Sequence, residues 1–131
     1  MAEDEGTGGR LPDEAIVVRA GIMELRDLRK NVEDHYVTVL TEEAREEWAM
    51  SVYCIPDKSA EYIAQKARKL NPKMCVSTVG EIRAAGYDVR SDWEEDGHSN
   101  VMFDTQPDDK DLLAVKSAFS DPVPNPGQPQ A

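Results

Sequence analysis

The chain has 131 residues, enough for one ordinary domain, and carries a formal net charge of −11. The first twelve residues hold −2 of that charge and the last twelve −1, so −8 falls on the core. Such an excess repels phosphate backbones and anionic bilayers, which argues against nucleic-acid and membrane-surface partners.

Residues 1–12 contain Gly6, Gly8, Gly9 and Pro12 and no apolar periodicity, so they are expected to form a flexible arm. The first strand is predicted over 15–19, where Ala15-Ile16-Val17-Val18 is apolar on both sides of a pleat. A helix is predicted from Met23 to Tyr36, with Leu25, Leu28, Val32 and Tyr36 as its apolar stripe. Val37 to Leu40 fits a short strand or a packed loop. Thr41 is then expected to cap a short acidic helix carrying Glu42, Glu43, Glu46 and Glu47.

A second strand is predicted from about Met50 to Ile55, ended by Pro56. Ser59 is a candidate cap for a helix on which Ala60, Ile63, Ala64, Ala67 and Leu70 share a face, stopped by Asn71-Pro72. A third strand is predicted over Met74 to Val79 and a short helix over Glu81 to Ala85, ended by Gly86. Tyr87 to Val89 and Asn100 to Phe103 are expected to pair as a hairpin around the acidic loop Ser91 to Gly97. A last helix should run from Asp109 to Phe119, with Leu112, Val115 and Phe119 inward. Pro122, Pro124, Pro126 and Pro129 follow in a tail expected to be disordered.

This succession predicts a small α/β or α+β single domain over 13–120: a mixed sheet with flanking helices, between an arm (1–12) and a Pro-rich tail (121–131). Met1-Ala2-Glu3-Asp4-Glu5 is acidic where a secretory leader is basic, and no apolar run reaches membrane-spanning length. A cytoplasmic location is expected. Cys54 and Cys75 lie inside apolar runs at a spacing unlike that of a zinc site, so they are read as buried, reduced thiols.

Candidate chemistry is sparse. Arg19 at the end of a strand and Ser77-Thr78 inside another resemble two elements of the ADP-ribosyltransferase class, in which a strand Arg and a Ser-Thr strand hold a dinucleotide. The third element, a Glu at a strand edge, has no recognisable counterpart. The alternative for Arg19 is a surface or capping ion pair, and for Ser77 and Thr78 ordinary strand positions. His35 and His98 each follow an acid, Asp34 and Asp96, but sequence supplies neither nucleophile nor oxyanion site. His35 is also explained by a helix C-terminus.

The loop from Asp92 to Gly97 imitates half an EF-hand, but the closing acidic position is Phe103, so no metal site is expected. No cofactor motif is found. Trp48 is read as an anchor between helix and sheet. Trp93, between Asp92 and Glu94, is either folded back or presented to a partner.

Leu11 to Arg19, Ser51-Val52-Tyr53, Val76 to Gly80, Arg83 to Val89 and Pro122-x-Pro124-Asn125-Pro126 together resemble a group of small uncharacterised actinobacterial proteins. The resemblance implies a bacterial protein and carries no activity with it. The functional expectation is an accessory or regulatory protein-interaction module, with Trp93, Asp92 and Glu94 at the contact. The alternative is a nucleotide-handling transferase using Arg19, Ser77 and Thr78.

Overall fold

A computed structural model describes residues 10–69 and 71–127. The chain order is β1 (Ile16–Ala20), α1 (Leu25–Glu43), β2 (Trp48–Cys54), α2 (Ala60–Ala67), β3 (Lys73–Thr78), α3 (Val79–Ala84), β4 (Asp88–Ser91), β5 (His98–Phe103), α4 (Asp109–Ser117) and β6 (Val123–Pro124). The six strands form one sheet in the order β4-β5-β2-β1-β3-β6, and every pairing is antiparallel. That places the domain on the α+β side of the two expected classes. β2 and β3 flank β1 and are both antiparallel to it, so α2 joins two strands that run the same way.

The apolar run of β1 explains its central place. Val17 and Val18 point to opposite faces, as successive strand residues must, and both are buried. On one face Val17, Val52, Cys54 and Cys75 pack with Leu28 and Val32 of α1, Val79 and Ile82 of α3, and Leu112 and Val115 of α4. On the other face Val18, Tyr53 and Met74 pack with Ile63 and Ala64 of α2, and Ala60 and Ala67 of the same helix adjoin them. α2 therefore covers this face over β1 and the adjoining end of β2, and Met74 of β3 joins the same cluster.

The cap expected at Ser59 holds, its side chain taking the Tyr62 N–H; the structure adds a reciprocal capping box of Asp108 with Asp111 at the start of α4. α1 differs from expectation. Instead of stopping at Tyr36, it runs on to Glu43, through Val37 to Leu40, and Thr41 lies inside it rather than capping a second helix. The reason is packing. The inward stripe continues from Leu28 and Val32 to Val39, and Tyr36 stacks on Trp48 with ring centroids 3.9 Å apart. The helix ends where Ala44 turns left-handed and donates its N–H to the Leu40 carbonyl. Trp48 itself belongs to β2 and fixes α1 from the sheet side.

Both ends of the domain reach further than expected. Leu11, assigned to the arm, is buried in the larger core. In the tail, Val123 and Pro124 pair with Met74 and Lys73, and Asn125 is buried. Proline is tolerated there because β6 is an edge strand. The expected disorder of 121–131 therefore fails for 123–127. Residues 1–9, Leu70 and residues 128–131, to which the remaining arm, helix-face and tail expectations refer, lie outside the described residues. No helix among the described residues is long and apolar enough to cross a membrane.

Candidate functional site

The site begins with a fork in the sheet. β1 and β2 pair at Val17–Cys54 and Val18–Tyr53, and the ladder stops there although both strands continue. Beyond the fork, side chains replace the missing backbone partners of Ser51. Its N–H donates to Asn31 Oδ1 at 2.8 Å, and its carbonyl accepts from Arg19 Nη1 at 2.7 Å. Arg19 Nη1 also reaches Asn31 Oδ1 at 3.3 Å. Burial lowers the affinity of Arg19 for its proton, and the charge of Asp27 opposes that shift. Arg19 Nε is buried without a hydrogen-bond partner, and Arg19 makes no ion pair among the described residues.

The fork opens into a cleft of about 630 Å³ whose lining includes Arg19, Asn31, Ser51, Lys69, Glu94 and His98. The register of β2 against β5 sets Ser51 opposite Asn100 and Tyr53 opposite His98, so all four side chains share the face that carries α2. His98 Nε2 lies 3.2 Å from Ser51 Oγ, and Nδ1 lies 2.5 Å from Asp92 Oδ2. The ring also meets Tyr53 edge-on, with centroids 5.5 Å apart. Asn100 Nδ2 donates to both Asp92 oxygens at 3.2 Å.

The loop after β4 is built to hold this arrangement. The Asp92 N–H donates to the His98 carbonyl, and the His98 N–H donates to Asp96 Oδ1. Gly97 has φ +84° and lies against Ile55, where a Cβ would collide, while its carbonyl accepts the Cys54 N–H. Glu94 and Asp96 line the cleft, and Asp92 stands behind the His98 ring on Nδ1. Trp93 goes elsewhere: it lines a separate recess of about 170 Å³ with Arg83, Asp88 and Arg90. Trp93 is 58% exposed, its φ is +57°, and its backbone N–H donates to Ser91 Oγ.

The other expected residues are distributed as follows. Ser77 and Thr78 do not line the Arg19 cleft. Ser77 Oγ donates to the Ala118 carbonyl at 2.7 Å, and Thr78 Oγ1 accepts the Glu81 N–H as the cap of α3. His35 is not at a helix C-terminus, because α1 continues past it; its Nε2 pairs with Glu47 Oε2 at 2.8 Å. The acid that faces the His98 ring is Asp92 rather than Asp96. Both cysteines are buried and free, and burial pushes the Cys54 thiol up to about 11.

Sequence reasoning passed over Ser51, Asn31 and Asn100. The available signal was a polar residue at an interior strand position, Ser51 between Met50 and Val52 and Asn100 before Val101. No family model matches the chain, and no curated protein or solved structure matches it either.

Proposed function

We propose that this domain works through protein contact, as an accessory or regulatory module of the cytoplasm whose contact surface centres on Trp93. The observation that carries the reading is the combination of exposure and backbone conformation at that residue. A bulky residue at φ +57° is strained, at a cost of about 1–3 kcal/mol, and burial of the indole does not offset it. Strain of this kind is retained where the surroundings impose it, here through Ser91 Oγ on one side and the Asp92–His98 contact on the other.

The partner chemistry follows from the neighbours. Asp92, Glu94 and Glu95 are exposed around the indole. A protein with an apolar pocket rimmed by Lys and Arg would desolvate the ring and complement the acids, which speeds encounter as well as anchoring the complex.

The test compares wild type with Trp93→Ala. A protein retained from lysate of the source organism is purified and titrated against both by calorimetry. The expected result is about 2 kcal/mol weaker binding for the variant, at a melting temperature close to wild type. Equal affinity for both proteins would refute the reading, as would a Trp93→Ala protein that no longer folds.

A further inference from the structure

We propose that Ser51, His98 and Asp92 form a nucleophile–base–carboxylate relay that cleaves small polar acyl esters in the cleft at the β1/β2 fork. This goes beyond the contact reading and does not depend on it: Asp92 stands in both, as a rim acid beside Trp93 and as the carboxylate on His98, and Trp93→Ala tests the one while Ser51→Ala tests the other.

The geometry assigns the protons. Asp92 as a carboxylate can only accept, so His98 Nδ1 must carry the proton in the 2.5 Å contact. In the neutral ring Nε2 is then an acceptor, and the 3.2 Å contact with Ser51 is an Oγ–H donated to Nε2. That is the polarity a general base needs toward a hydroxyl nucleophile. The relay is recognised by geometry and roles, not by chain order. Each member is held independently. Ser51 is fixed by Asn31 and Arg19 through its own backbone, Asp92 by Asn100, and the His98 ring by the edge of Tyr53.

The remaining requirements are a place for the substrate and a counter-charge for the oxyanion. The cleft supplies about 630 Å³ next to Ser51. Arg19, bonded through Nη1 to the Ser51 carbonyl, and Lys69 both line the cleft and supply positive charge on the Ser51 side. Lys69 and Asn71 line one part of the wall and Glu94 and Asp96 another, so the cleft suits a polar substrate rather than a lipid ester.

The steps balance as ester hydrolysis. Ser51 Oγ bonds to the acyl carbon as its proton passes to His98 Nε2, and the carbonyl π pair moves to its oxygen, whose charge the cations lining the cleft offset. That pair returns, the bond to the leaving oxygen breaks, and the alcohol departs with the proton from Nε2. Water then attacks the acyl-Ser51 ester, giving a proton to Nε2. Collapse breaks the bond to Oγ, which recovers that proton, and the carboxylic acid leaves.

The experiment uses the full chain with a fluorophosphonate probe and with p-nitrophenyl acetate. Intact-mass and peptide mapping should show one adduct per chain, at Ser51, and Ser51→Ala should abolish both the adduct and ester turnover. His98→Asn should slow labelling by about 100-fold or more, because it removes the base while leaving the nucleophile. Should Ser51→Ala fail to fold, Asp92→Asn decides: it leaves Ser51 and His98 in place and should slow labelling steeply. No adduct at Ser51 in wild type, or labelling as fast in His98→Asn or Asp92→Asn as in wild type, overturns the proposal.

Discussion

Asn125 offers the most direct check on how the domain is closed. Its side chain makes three hydrogen bonds: Nδ2 donates to the Asn71 carbonyl at 2.8 Å and to the Lys69 carbonyl at 3.3 Å, and Oδ1 accepts the Gly127 N–H at 2.9 Å. Its backbone N–H donates to the Pro72 carbonyl. The residue therefore ties the chain after β6 to the segment between α2 and β3. Asn125→Ala keeps the backbone bond and removes the other three. At about 1 kcal/mol for a typical bond, and less for the 3.3 Å contact, the loss is about 2–3 kcal/mol. For a domain of this size each kcal/mol moves the midpoint by about 3–6 °C, so the melting temperature should fall by about 6–18 °C. Calorimetry reads the midpoint, and urea titration with an unchanged m value would show that stability rather than compactness has changed. Asn125→Asp should do at least as much harm, since it sets a carboxylate against two carbonyl oxygens. Truncation after Asp121 should match or exceed the alanine loss. A fall under about 2 °C for Asn125→Ala would refute the docking of this segment.

Two further outcomes follow from ionisable groups outside the cleft. Burial works against the charge of Glu47, but hydrogen bonds from Arg45 and His35 outweigh it and hold the carboxyl below its ordinary range. A folded pKa below the unfolded one means the stabilisation is full above the ordinary carboxylate range and is lost as pH falls through the folded value. Glu47→Gln should therefore melt below wild type at pH 7, with the gap closing toward pH 3; a gap independent of pH would show that Glu47 acts only by shape. Burial raises the thiol pKa of Cys54, to about 11, and of Cys75, so Ellman's reagent should label the native protein slowly and the denatured protein completely. Rapid native labelling would place a thiol at the surface.

Much of the frame was legible because local signals and burial agree. Val17 and Val18 read as a strand covered on both sides, and they occupy the centre of the sheet. Ser59 read as a cap, and its hydroxyl accepts the Tyr62 N–H. The misreadings fall where a long-range contact decides. Val37 to Leu40 has the composition of a strand, and only Val39 in the core and Tyr36 on Trp48 make it the last turns of α1. Pro124 reads as a breaker, and only its position on an edge makes it a strand residue.

The cleft was hidden for a related reason. Ser77 and Ser51 interrupt apolar strand runs and Ser99 lies just before another, and nothing in their immediate neighbours ranks one above the others. Their partners do. Ser77 Oγ donates to the Ala118 carbonyl and Ser99 Oγ to the Gly97 carbonyl, so each hydroxyl is committed to a backbone acceptor that cannot titrate. Ser51 Oγ meets an imidazole instead, because the antiparallel register puts His98 opposite Tyr53 on the same face. The ring could not serve a base's role without a second partner, and the short connection between β4 and β5 returns Asp92 to Nδ1. Register and hairpin length are tertiary quantities, and together they turn three unremarkable polar positions, 47 and six residues apart in sequence, into one hydrogen-bonded line.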